Sequence, residues 1–439
     1  MDSIFKAWEA QEAMKTMEQA RVEIGNQQSK YGKVNSLMQY INEETLIKYH
    51  KQQPKGKATG IDNVTKEMYE ERLYENLEKL INDMKKFSYH PLPVRRTHIP
   101  KGNGKLRPLG IPSYEDKIVQ AAFREILDII YEKKFYDFSY GFRENKDCHQ
   151  AILEINHHIM FDKINYVVDA DIKGFFDNLN HEWLIKFLEN DIADKNFIRY
   201  IKRFLIGGVI EDGKKLENDK GTPQGGLISP VLANVYLHYA LDKWFTFLKN
   251  KGYFKGEAFL VRYADDFVIL FQLENEANKF YDVLKKRLAK FDLELEENKS
   301  RIIPFGRFKG NKEKFDFLGF THINGKTKSG KYKLIHHTSK KKLKQKKANV
   351  KQWLKENMHN SIKELVPKLN IKLEGHYRYY GIFDNYNALV NFTKFVKEAL
   401  YRCLTRRSQR KGWLTRRKLE KTLKSLKFTR PRLYLLYGY

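Results

Sequence analysis

Residues 261–270 read VRYADDFVIL, and the fold turns on what two adjacent acids do there. Asp265 and Asp266 stand between two runs that otherwise favour burial, Val261 to Tyr263 before them and Phe267 to Leu270 after. β-Branched and aromatic residues on both sides predict two paired strands with the turn at Ala264 to Asp266. Acids are common in hairpin turns, where a short polar side chain bonds nearby backbone. Taken alone, the stretch is an ordinary hairpin.

A second acidic segment changes that reading. Residues 165–181, NYVVDADIKGFFDNLNH, open on a buried-strand pattern whose period of two places Asp169 and Asp171 on one face. An unpaired carboxylate inside a protein costs several kcal/mol, so such acids need a proton, a salt bridge or a metal. Three carboxylates on two adjacent strands make a hard, oxygen-rich site suited to Mg²⁺, which fills its shell with water and phosphate oxygens. Two such ions about 3.5 to 4 Å apart would activate a hydroxyl and stabilise the leaving group of an in-line displacement.

Composition narrows the partner. The 439 residues hold 82 Lys and Arg against 54 Asp and Glu, a net charge of +28, which favours a polyanion, nucleic acid first. A membrane surface is the rival, but no run of about 18 apolar residues occurs and the N-terminal stretch does not read as a signal peptide, so a soluble, intracellular protein is expected. Two cysteines, Cys148 and Cys403, are too few for a disulfide framework or a cysteine zinc site. The charge is concentrated late. Residues 340–439 carry 27 Lys and Arg against 6 Asp and Glu, with Tyr377, Tyr379, Tyr380 and Trp413 interleaved, which suits a nucleic-acid surface better than a solvated face. Within it, KKKLKQKKANVKQWLKENM (340–358) predicts a basic helix with Leu343, Val350 and Leu354 on one stripe.

Upstream, residues 1–50 are mostly helical in pattern, and 66–87 predict one amphipathic helix. RRTHIPKGNGKLRPLGIP (95–112) then sets Asn103-Gly104 between two β-like runs, a strong hairpin signal. Lys101 and Arg107 would sit on opposite arms. Two cations on a stiff hairpin either serve solubility or clamp a triphosphate, Arg through its planar fork and Lys as a point charge.

Seven segments occur in series: RTHIPKGNGKLRPLGIP, YGFRENKDCHQAI, VVDADIKGFFDNLNH, KGTPQGGLISPVLANVYL, VRYADDFVIL, LELEENKSRI and FDFLGF. The series resembles the ordered motifs of bacterial group II intron-encoded reverse transcriptases, or maturases, over roughly residues 50–439. EGHYRYYGIFDNYNAL resembles that family's thumb, and RRSQRKGWLTRRKLEKTLKSLKFTRPRL its short basic C-terminal segment. The resemblance implies an α+β right-hand polymerase, divided as an N-terminal extension (1–65), fingers and palm (66–339), thumb (340–405) and basic segment (406–439). It implies RNA-directed DNA synthesis on a template–primer duplex, with structured intron RNA as a further partner, in the bacterial cytoplasm.

Site roles follow from the same resemblance. Asp171, Asp265 and Asp266 match the catalytic, metal-holding triad, with the backbone carbonyl of Ile172 as a further ligand for two Mg²⁺ or Mn²⁺ ions. Lys101 and Arg107 match residues that hold the dNTP triphosphate, Phe176 the ring that rejects a 2′-hydroxyl, and Gln224 the glutamine against the incoming nucleotide, with Gly225 and Gly226 allowing close approach. Lys299 matches a lysine near the pyrophosphate, a candidate proton donor. Asp169 and Asp177 match no catalytic position and read as supporting residues. Asn180, Asp384 and Arg416 depart from the family pattern and leave open how the tail binds nucleic acid. The cysteine-rich HNH endonuclease of many relatives is not expected here, nor is cleavage of a DNA target. A free-standing reverse transcriptase in phage defence or repair is the alternative, and an RNA chaperone with a relict polymerase core a second one.

Overall fold

The computed structural model describes residues 2–100, 106–211, 214–216, 220–222, 225–309, 312–407 and 414–435. Eleven strands occur among them: β1 Val94–Pro100, β2 Leu106–Ile111, β3 Tyr166–Asp171, β4 Val209–Glu211, β5 Lys214–Leu216, β6 Ala258–Tyr263, β7 Asp266–Phe271, β8 Arg301–Pro304, β9 Lys314–Phe317, β10 Phe320–Lys326 and β11 Tyr332–Thr338. They form three sheets, ordered β2-β1-β4-β5, β6-β7-β3-β8 and β11-β10-β9, and helices fill most of the rest. The fold is α+β.

The second sheet carries the acids and falls in the span expected to be the palm. All its neighbours are antiparallel, and β6 and β7 are the expected hairpin. Alternation along the strands sorts its side chains. Tyr166, Val168, Ala170, Leu260, Phe267 and Ile269 enter one core, shared with the helices Tyr114–Glu132, His181–Asp191 and Ser229–Leu237. Val167, Val261, Val268, Leu270 and Ile303 enter a second core with the helix Cys148–Phe161, the third sheet and the thumb. Asp169, Asp171 and Asp266 share the parity of that second face. They lie toward the thumb.

The first sheet holds the expected hairpin of β1 and β2, with Ile99 opposite Arg107; β1 runs parallel to β4 on its other side. The turn at Asn103-Gly104 lies outside the described residues. The single helix expected over 66–87 is two, Lys66–Glu70 and Leu73–Lys85, broken at Arg72 (φ −129°, ψ 43°). The break lets Tyr69 turn in against Tyr114, ring centroids 5.1 Å apart, while Leu77, Leu80 and Met84 bury along a different line. Propensity and pattern across 66–87 favour one helix, and tertiary packing overrides them.

The basic stretch forms the helix Lys340–Glu356, which buries Val350 and Leu354, and two more helices, Ile362–Tyr380 and Tyr386–Thr405, complete the thumb. The tail helix Arg416–Ser425 belongs to the same core, because Leu414, Leu419 and Leu423 bury against it. Residues 427–435 then strap back over the helix Ile362–Tyr380. Asn370 Nδ2 donates to the Lys427 carbonyl at 3.1 Å, and Leu435 N to that of Gly381 at 3.1 Å.

Candidate active site

Asp171 closes β3 directly opposite Asp266, which opens β7. Tyr263 also pairs with Asp266, so Ala264 and Asp265 form the whole loop between β6 and β7. Ala264 adopts φ 57°, a left-handed conformation that costs a residue with a Cβ roughly 1–2 kcal/mol. The surroundings hold it there. Arg262, fully buried, donates from Nη1 to the Ala264 carbonyl and to Asn234 Oδ1, each at 3.0 Å. Its Nε and Nη2 engage Asp242 at 2.8 and 2.5 Å. Asn234 Nδ2 in turn donates to the Gly141 carbonyl at 2.7 Å. Sequence reasoning missed this network, although an arginine inside an otherwise apolar strand was a visible signal.

The carboxylates are short of counter-charge. Burial pushes the Asp266 carboxyl up to about 6, helped by Asp265 and Asp171 and opposed by Lys342 and Lys299. The group opens onto a cavity, yet protein mass on its other sides keeps much of the water away. Asp265 is raised by burial and by Asp171, with Arg107 and Arg262 opposing. Asp169 is raised to about 7, by burial first, while Arg301 pulls it down. Lys299 Nζ stands 2.5 Å from Asp171 Oδ2, a bond that raises the lysine and keeps it charged. Ser300 Oγ accepts from Asp171 N at 3.2 Å, and Glu296 N donates to the Asp171 carbonyl at 2.8 Å.

A cavity of about 400 Å³ opens over these groups, lined among others by Arg107, Asp171, Asp266, Lys299, Asp316 and Lys342. Arg107 therefore reaches the acids from the fingers, and Lys342 from the first turn of the thumb. Asp316 and Lys342 were not singled out in the sequence, since only the folded thumb brings them here. Lys101 and Gln224 lie outside the described residues. Gly225 (φ 116°) lies against β2, where a Cβ would come within 2.4 Å of the Gly110 carbonyl oxygen. Phe176 is half-buried, and its carbonyl accepts from Thr222 N at 2.8 Å. Ile172 pairs with Leu295 in a bridge whose hydrogen bonds are made by its neighbours, which directs its own carbonyl away from that segment.

Among the described residues, no three His, Cys, Asp or Glu side chains stand clustered as a ready-made metal site. The donor set still fits a hard divalent cation: three carboxylates at one sheet end, two of them raised by burial and by their acidic neighbours, and one carbonyl turned away from its ladder. Two departures from the family pattern have local reasons. Asn180 caps the helix His181–Asp191 by accepting from Trp183 N and donates to Asp292 Oδ2 at 2.6 Å, a bond a carboxylate could not donate. Asp384 pairs with Lys333 at 2.5 Å. The third, Arg416, lies on the surface against Glu398 at 3.2 Å.

Residues 99–322 match the reverse transcriptase (RNA-dependent DNA polymerase) family, half of the chain with the two-strand acid site inside it. The chain belongs to that family. Residues 343–422 match the group II intron maturase-specific domain, the span of the thumb helices and the tail helix. Among its relatives, the chain is 40% identical over 254 residues to the group II intron-encoded protein LtrA of Lactococcus lactis, covering 56% of this chain and 40% of that one. It is 31% identical over 308 residues to protein YkfC of Escherichia coli, covering 63% and 78%. It is 31% identical over 111 residues to nuclear intron maturase 2, mitochondrial, of Arabidopsis thaliana, covering 24% and 15%. The match to LtrA thus spans two fifths of that protein's length. Among the described residues, no helix is long and apolar enough to cross a membrane.

Proposed function

We propose that the chain is an RNA-directed DNA polymerase that transfers deoxynucleotidyl groups to a primer 3′-hydroxyl on an RNA template. The observation that carries this is the register of β3 against β7, which sets Asp171 opposite Asp266 with Asp265 at the turn. Asp171, Asp265, Asp266 and the Ile172 carbonyl would hold two Mg²⁺ or Mn²⁺ ions. Bound there, such ions lower the cost of forming the attacking alkoxide and the departing pyrophosphate. The chain's own groups do the rest. Arg107, together with Lys101, would hold the triphosphate, Phe176 would exclude a 2′-hydroxyl, and Gln224 would contact the incoming nucleotide. Lys299, kept charged by Asp171, would give a proton to the leaving pyrophosphate.

Asp265→Asn with Asp266→Asn tests this. The double variant should lose primer extension on poly(rA)/oligo(dT) while keeping RNA binding, and chelation of divalent ions should stop the wild type. Extension by the double variant at the wild-type rate would remove the assignment.

We also propose a second role, binding structured group II intron RNA and assisting its splicing, in the bacterial cytoplasm. Two cavities of about 840 and 830 Å³ flank the tail strap, and cations such as Lys394, Lys421, Lys424 and Arg430 line the first and Arg378 and Arg432 the second. The match to the maturase-specific domain supports intron RNA over a role in defence or repair.

A further inference from the structure

We infer that Phe142 is a specificity-determining residue, the second ring of the wall that discriminates between deoxy- and ribonucleotides. The inference rests on the polymerase reading above and on Phe176 as its first ring.

Phe142 is 44% exposed and adopts φ 60°, a left-handed conformation that is a true outlier for a bulky side chain. Anchors on both sides impose it. Before it, Arg262 N donates to the Phe138 carbonyl at 2.9 Å and Tyr140 N to the Arg262 carbonyl at 2.8 Å, which ties the segment to the edge of β6. Gly141 lies flush on the acidic turn, where a Cβ would come within 2.3 Å of Ala264 N. After it, the nearly buried Arg143 donates to the Tyr136 and Ser139 carbonyls at 2.7 and 2.6 Å and to Glu132. Between these anchors the chain has one way out. It presents an aromatic ring to solvent beside the acid site, at a cost in both backbone strain and exposed apolar area.

That ring meets Phe176 edge to face, centroids 6.4 Å apart and planes at 79°. Phe176 is held from behind as well, its ring by Phe175 at 5.4 Å and its backbone carbonyl by Thr222 N at 2.8 Å. A ring that rejects a 2′-hydroxyl by collision works only if it cannot swing aside. Phe142 blocks the side of Phe176 that the palm core leaves open, and so acts as a positioning residue for the gate. Its strain and exposure are explained by that task, since folding alone would favour a glycine or a small polar residue here.

The test is single-nucleotide extension by the full chain on an RNA template, comparing kcat/KM for dNTP and the matching rNTP. Phe142→Ala should lower the deoxy/ribo ratio by roughly three- to tenfold, the size of effect an edge-to-face aromatic pair supplies. Phe142→Gly, which also relieves the left-handed backbone, should show the same loss in a better-folded protein, and Phe142→Tyr should keep the wild-type ratio. Adding Phe142→Ala to Phe176→Ala should change nothing further. An unchanged ratio in both Phe142→Ala and Phe142→Gly, with Phe176→Ala still lowering it, would overturn the inference and leave the polymerase reading intact. An unchanged ratio in Phe176→Ala would remove the gate and the inference together. A wild type unable to extend any primer would remove the polymerase reading itself.

Discussion

Arg262 and Asp242 form a fully buried ion pair, Nε to Oδ1 at 2.8 Å and Nη2 to Oδ2 at 2.5 Å, directly beneath the turn that carries Asp265. The pair holds the Ala264 carbonyl and, through Asn234, the Gly141 segment as well. Removing one partner strands a buried charge. Asp242→Ala should therefore cost about 3–5 kcal/mol in a urea titration, whereas an apolar replacement of both partners should recover much of that stability. Polymerase activity should not recover with it, since the carbonyl of Ala264 loses its donor once Arg262 is replaced. Full activity in a refolded apolar pair would show that the network serves stability alone.

Asp266 gives a pH dependence with a definite sign. Its folded pKa, about 6, lies above the ordinary 3.8, so folding favours the protonated form. That contribution to stability is present in acid and lost as pH rises through about 6. Without divalent ions, Asp266→Asn should raise the melting temperature at about pH 8 by roughly 2 °C, and the gain should fade toward pH 5. Because the same proton competes with a metal, wild-type extension should fall as pH drops below about 6. An activity flat across that range would contradict the carboxylate's role.

The third sheet and the thumb packed on it carry an acid-sensitive element. His336 stands opposite His322 across β10 and β11, ring centroids 4.8 Å apart, and His376 is buried in the thumb helix Ile362–Tyr380. Burial lowers His336 to about 4 and His376 to about 3. Folding thus favours the neutral rings, and stability present above the ordinary 6.5 is lost as pH falls toward those values. On acidification the third sheet and the thumb helices should open in a cooperative transition as these rings take up protons, followed by hydrogen exchange. His336→Phe should move that transition to lower pH, and an unmoved midpoint would acquit the histidine.

The tail is better tested by charge than by deletion. Removing residues 406–439 strips Leu414, Leu419 and Leu423 from the thumb core along with the cations. Replacing Lys421, Lys424, Lys427 and Arg430 by Gln keeps those leucines. The salt dependence of binding to structured RNA should then flatten, by about 0.9 in the log–log slope for each phosphate left without its cation, while primer extension at low salt survives. Equal slopes for the two proteins in filter binding would make the charge a solvated surface.

Local pattern was enough to place the acids of β3. Alternation in VVDAD puts Asp169 and Asp171 on one sheet face, because a strand's period of two depends on nothing outside the strand. Asp266, expected in the turn, joins that face only through the pairing of β7 with β3. The excess of cations after residue 340 and the β1–β2 hairpin were legible for the same reason. What lay beyond the sequence are relations between distant segments: Asp242 under Arg262, Gly141 against Ala264, Lys342 facing Asp266, and tail leucines inside the thumb. The break at Arg72 is of the same kind, since a helical pattern cannot show that Tyr69 and Leu77 pack in different directions. The left-handed conformations of Ala264 and Phe142 ran against their own propensities. Only tertiary packing that outweighs those local preferences could decide them, and such packing exists only once the palm has closed.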